Sequence, residues 1–151
     1  MSDTVLTVRP IDEPDAARWR DLFTAYGVFY KTEFTDEVLD RVWALVSTPG
    51  SGVEALVAEA DGVVVGFAHH RSHPDTFSFS RDPFLAELYT DPEARGLGVA
   101  SLLIDTIVGI ARSAGETGVL RWITAADNER AQRVYDRVAT KTTWLTYEIR
   151  P

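Results

Sequence analysis

Residues 88–103 read LYTDPEARGLGVASLL. An apolar run stops at Asp91-Pro92, a turn follows at Arg95-Gly96-Leu97-Gly98, and an amphipathic segment opens directly behind it. A strand joined to a helix by so short a turn has to lay that helix on the face of a sheet, which points to a layered mixed fold. The turn also has chemistry. The first N–H groups of a helix have no partner inside it, and the helix dipole adds partial positive charge there. Glycine permits a left-handed backbone and a close approach by a ligand. Together these features suit a phosphate, and Arg95 adds a donor fork beside it. Two familiar phosphate loops do not fit. Ser101 stands where a dinucleotide fingerprint needs its third glycine, and the Gly-Lys-Ser/Thr of a nucleoside triphosphate loop is absent. Taken alone, the turn is equally well read as a tight turn with no ligand.

The remaining pattern agrees with a mixed fold. Strands are expected at 5–8, 53–60, 63–70, 84–90, 119–124 and 144–149, and helices at 12–26, 35–46, 98–114 and 128–138. Asp61-Gly62 between two strands is a strong hairpin turn, Thr35 is placed to cap a helix, and residues 71–83 read as irregular. The order is β-α-α-β-β-β-α-β-α-β, an α/β (α+β) domain covering residues 1–151, with no internal repeat or linker. The chain has no cysteine, so disulfides, thiolate nucleophiles and zinc–thiolate sites are ruled out. A formal charge of −8 argues against nucleic acid as a partner. No apolar run is long enough for a membrane span, and no membrane partner is expected. Met1-Ser2-Asp3-Thr4 lacks the pattern of a secretory leader, so the cytoplasm is the expected location.

Two spaced motifs carry a resemblance. Arg95-x-x-Gly98-x-Ala100, behind the strand that ends Leu88-Tyr89-Thr90, resembles the acyl-CoA signature of the GNAT superfamily of N-acetyltransferases. Asn128-x-x-Ala131-x-x-x-Tyr135 resembles that superfamily's second signature, and the element order agrees with its fold, a mixed, splayed sheet flanked by helices. Phe67-Ala68-His69, His73-Pro74 and Tyr135-Asp136-Arg137-Val138-Ala139 are similar to a branch that includes yeast histone/polyamine-type acetyltransferases. Val138-Ala139-Thr140 stands where most members carry a Leu-Gly-Phe turn.

The resemblance implies transfer of an acetyl group from acetyl-CoA, as co-substrate and with no metal, to a primary amine of a small molecule. The alternatives are a non-catalytic acyl-CoA sensor and an acetyltransferase acting on protein or peptide amines. Under it, the backbone of Leu88, Tyr89 and Thr90 would pair with the pantetheine arm, with Leu88 or Tyr89 donating to the thioester oxygen. The amides of Arg95, Gly96, Leu97, Gly98, Val99 and Ala100 would hold the pyrophosphate, with Ser101 beside them. Asn128 would bond the pantetheine, although a helix-start role competes. Tyr135 would protonate the leaving thiolate. Glu87 is the candidate base, next to Ala86, where polyamine-acetylating relatives often carry a glutamate. Strand alternation separates the two onto opposite faces unless a bulge intervenes. Tyr30 and Phe34, with His69, His70, His73 and Phe77, fall in the two regions that build the acceptor pocket; Tyr30, Phe34, His70, His73 and Phe77 are the substrate-binding candidates. The branch often forms homodimers through its C-terminal strands, which directs attention to Trp144 and Tyr147.

Overall fold

A computed structural model describes residues 3–151; Met1 and Ser2, where the leader reading begins, lie outside the described residues. Four antiparallel strands form one sheet in the order β1-β2-β3-β4: β1 Leu6–Pro10, β2 Glu54–Ala60, β3 Val63–Asp75 and β4 Ser80–Thr90. The helices are α1 Ala16–Phe29, α2 Asp36–Val46, α3 Val99–Ser113 and α4 Glu129–Val138. Local chemistry accounts for several boundaries. Asp61 and Gly62 both have positive φ, 50° and 82°, as the tight turn between β2 and β3 requires. The Thr35 hydroxyl accepts from Val38 N–H and starts α2. A one-turn 3-10 segment, Glu13–Asp15, precedes α1 where the sequence suggests a helix from residue 12.

Each face of the sheet has its own apolar core. Trp19, Phe23 and Leu39 from α1 and α2 close on Val57 and Phe67. Leu103, Ile104 and Ile107 from α3 close on Leu56, Ala58, Ala68 and Leu85. Gly66 sits where β3, β4 and the start of α3 meet. A Cβ there would stand 2.9 Å from both the Tyr89 carbonyl oxygen and Val99 Cγ1.

Three expectations need correction. Residues 71–83 are not irregular: β3 and β4 continue as a hairpin arm to the pair Asp75–Ser80. The arm is mostly exposed, so no buried face imposes an alternating pattern on it. Residues 119–124 do not form a strand, and only Arg121 bridges, in parallel, to Phe84. Buried Asp82 fixes that crossing by accepting from Val119 N–H at 3.2 Å and the Arg121 guanidinium at 2.8 Å. No ladder follows beyond Arg121. The expected closing strand at 144–149 is likewise absent among the described residues. Its apolar side chains stand in solvent, Trp144 at 81% and Tyr147 at 88% exposure. A strand needs a paired neighbour, and residues 119–125 do not supply one.

Candidate active site

The turn that opens α3 has the properties of an anion site. Gly96 and Gly98 have φ of 84° and 88°, a left-handed backbone that suits glycine. Gly98 precedes the helix, and no side chain caps it. The N–H groups from Gly96 to Ala100 have no backbone acceptor among the described residues. The dipole and these donors face the same way. Arg95 stands at the entry to the turn, and Leu97 is partly exposed within it. Ser101 lies in the first turn of the helix.

The open edge of β4 leads into this turn. Asp91 N–H donates to Val65 C=O at 2.8 Å. In the ladder that continues from it, Tyr89 and Glu87 face Phe67 and His69 in hydrogen-bonded positions. The N–H and C=O of Leu88 and Thr90 therefore point away from β3, toward the edge that residues 122–125 leave uncovered. This corrects one expectation: Leu88 and Thr90 can pair with an extended ligand, whereas the backbone of Tyr89 belongs to the sheet.

A bulge orients the side chains. His69 pairs with Glu87 but His70 pairs with Leu85, so Ala86 is the additional residue on β4. Alternation alone would put Leu85 and Glu87 on one face. With Ala86 looped out, Leu85 enters the α3 core and Glu87 turns to the α1 face. There Glu87 Oε2 meets His69 Nδ1 at 3.0 Å, and His69 Nε2 accepts the Trp19 indole N–H at 3.0 Å.

Tyr26 lies beside Glu87, with Tyr30, Tyr89 and Tyr135 around it. The rings of Tyr26 and Tyr30 lie 5.0 Å apart, and Tyr26 meets Tyr89 edge-on at 6.4 Å. Burial raises the Tyr26 hydroxyl well above the ordinary tyrosine range, with the Glu87 carboxylate adding to the effect. Tyr135 packs edge-on against Trp122 at 5.3 Å. Burial, and then the nearness of Tyr30, pushes its hydroxyl up to about 12. A phenol in that state keeps its proton at neutral pH.

The other expected residues divide between the site and the scaffold. Asn128 does start α4: its Oδ1 accepts from Ala131 N–H at 3.3 Å, so the helix-start role is real, and its amide N–H2 can still donate to a ligand. Phe34 folds over Gly27 and stacks on Phe23 at 4.6 Å, which makes it a lid on the core. His70 points to the opposite face from Glu87. There it lines a separate cavity of about 330 Å3 with Arg81, Ile107 and Glu116, and burial pulls its pKa down. His73 and Phe77 sit on the distal hairpin arm, with Phe77 94% exposed. These three therefore do not join the tyrosine–glutamate cluster. Trp19 and Tyr26 were not among the expected site residues. Both look like ordinary apolar positions of α1, and nothing local in the sequence sets them apart.

Similarity to known proteins falls on this same frame. The sequence profile of the acetyltransferase (GNAT) family matches residues 17–139. The D-amino-acid N-acetyltransferase of Saccharomyces cerevisiae is 30% identical over 145 residues, covering 95% of this chain and 89% of that protein. Among solved structures, a ribosomal-protein-alanine N-acetyltransferase from Brucella melitensis biovar Abortus superposes with a TM-score of 0.81 at 23% identity, covering 97% of this chain and 99% of the other. An aminoglycoside N-acetyltransferase in complex with CoA superposes with a TM-score of 0.80 at 21% identity, covering 99% and 97%. At such identities the superpositions speak to the fold.

Proposed function

Because this chain belongs to the acetyltransferase (GNAT) family, we propose that it moves the acetyl group of acetyl-CoA to a primary amine of a small molecule, by direct attack with both substrates bound. The observation that carries this reading is continuity. The uncapped turn at Gly96–Ala100, the open edge at Leu88 and Thr90, and Glu87 follow one another along β4 and the start of α3, and Tyr26 beside Glu87 links them to Tyr30 and Tyr135. The donor set fits the co-substrate. Free N–H groups suit its pyrophosphate, and an unpaired strand edge suits its amide-bearing arm.

Acetyl-CoA would supply an acetyl group activated as a thioester. The chain's own residues do the rest. Glu87 takes a proton from the substrate ammonium, because only the neutral amine is a nucleophile. Leu88 N–H donates to the carbonyl oxygen, where negative charge grows as the C–N bond forms. Tyr135 gives its proton to the sulfur as the C–S bond breaks, and is reprotonated by the second proton that the new amide nitrogen sheds. The acidic and aromatic lining of the cleft favours a cationic acceptor. A panel of small amines assayed by thiol release tests the reading, and the cysteine-free chain adds no background. Turnover with small amines is expected, and acetylation of peptides alone would overturn it.

We also propose that the protein works as a homodimer. The exposed Leu145, Tyr147 and Ile149, with Trp144 beside them, alternate along a segment that pairs with no strand among the described residues. A second copy is the proposed occupant, because two such segments would bury their apolar side chains against each other.

A further inference from the structure

We propose that Trp19 and His69 are positioning residues for the base: Trp19 locks the imidazole in one tautomer, and that tautomer anchors the Glu87 carboxylate. The proposal rests on the reading of Glu87 as the base, and on three atoms in line. An indole N–H can only donate. His69 Nε2, 3.0 Å away, must therefore accept and cannot carry a proton. A neutral ring then has its proton on Nδ1, which lies 3.0 Å from Glu87 Oε2. The opposite tautomer would set N–H against N–H at one end and a lone pair against a carboxylate at the other. Both bonds would be lost together.

The surroundings leave the ring no second choice. Trp19 has no exposed surface and His69 is 2% exposed, so water cannot take the place of the indole donor. Trp19 is itself held, by Phe23 at 5.2 Å and Trp43 at 5.3 Å between ring centres. Phe67 and Phe23 pack against the imidazole with tilted rings, 4.7 and 5.3 Å between ring centres. The groups around the line are few: Ala55 opposite on β2, His70 turned to the other face of β3, and Tyr26 beside Glu87.

Two consequences follow. His69 is not the base, since Nε2 is taken by Trp19 and Nδ1 already carries its proton. A proton captured by Glu87 also cannot pass inward through His69, so it must leave through the partly exposed carboxylate itself. The ring works as a bracket with a fixed direction, from the core toward the cleft.

Nitrogen NMR of the wild-type protein tests the tautomer without any substitution. The chain has three histidines, so His69 can be assigned by single replacements. An N–H signal at Nδ1 of a neutral ring is expected. A proton at Nε2, or an imidazolium at neutral pH, would overturn the proposal. Kinetics test the positioning. His69→Phe keeps a buried ring but has neither donor nor acceptor, and in protein that remains folded a fall in kcat of about 10-fold to 100-fold is expected for a lost bond to a carboxylate, with KM for acetyl-CoA unchanged. His69→Asn can place an amide N–H where Nδ1–H was, and should recover most of that loss. Trp19→Phe removes the indole donor along with some core volume, and should move the His69 nitrogen signals toward the other tautomer or the imidazolium. Full activity in His69→Phe, with Glu87→Gln inactive, would overturn the positioning claim and leave the base in place. Full activity in Glu87→Gln would remove the base reading and this proposal with it, whatever the nitrogen signals show.

Discussion

Two glycines of one helix, Gly98 before its first turn and Gly109 in its interior, should respond with opposite sign to the same substitution. Gly98 immediately precedes α3 with φ 88° and ψ 18°, and a Cβ built there meets nothing within 4 Å. Gly98→Ala therefore costs backbone strain and no clash, about 1–2 kcal/mol for an L-residue in the left-handed region. Gly109 lies inside α3, also with nothing within 4 Å of a built Cβ and without a positive φ. Gly109→Ala should stabilise by about 0.5–1 kcal/mol, the helix preference for alanine over glycine. For a chain of this size the first change is roughly 2–8 °C downward in Tm and the second roughly 1–4 °C upward. Differential scanning calorimetry reads both. The same pair separates structure from binding. The added methyl at Gly98 stands where a phosphate would approach the backbone, so affinity for acetyl-CoA should fall at least about 10-fold, as loss of one charge-assisted bond would cause. Gly109→Ala should leave affinity alone. A Gly98→Ala protein that binds acetyl-CoA normally would refute the placement of the anion site at this turn.

Tyr135→Phe should lower kcat by about 100-fold or more, the usual contribution of a positioned acid, measured by thiol release at saturating substrates. Burial pushes the Tyr135 hydroxyl up to about 12, from an unfolded value of 10.0. Its neutral form therefore adds stability that is fully present below pH 10 and is lost as pH rises toward 12, which alkaline unfolding curves of wild type and Tyr135→Phe would separate. Asp15 behaves with the opposite sign. Its hydrogen-bonded pairing with Arg9 holds the carboxyl below its ordinary value of 3.8, so the stability it adds is present above that pH and is lost as the solution is acidified through the lower folded value. An Asp15→Asn protein should accordingly show a flatter acid unfolding curve. Removing residues 144–151 should convert a dimer to a monomer in sedimentation velocity, and an intact protein that sediments only as a monomer would end that reading.

The parts of this fold that are local in origin were legible in the sequence. Asp61-Gly62, the Thr35 cap and the apolar face of α3 each declare themselves within a few residues, and the structure follows them. The pieces that depend on distant partners did not read correctly. Residues 144–149 alternate as a strand should, yet alternation records a preference for pairing and says nothing about whether a neighbour is there. The hairpin arm at 71–83 hid for the opposite reason: with little to bury, it carries no periodic signal. The turn at Arg95–Ala100 was recognisable because its glycines and its helix are adjacent in sequence. Glu87 could be singled out as a carboxylate, but its facing depends on the looped-out Ala86, and its anchoring depends on Trp19 and His69, which are 50 positions apart. Contacts of that span leave no local mark.

The most direct test of the central claim is the melting temperature of the wild-type protein with and without saturating acetyl-CoA. A ligand at a hundred times its Kd adds about 2.7 kcal/mol, or roughly 5–10 °C for a domain of this size. That rise, much reduced in Gly98→Ala and unchanged in Gly109→Ala, is the result the account predicts. An unchanged melting temperature with acetyl-CoA and with CoA would mean that the turn before α3 holds no cofactor phosphate, and would contradict the assignment of acetyl transfer.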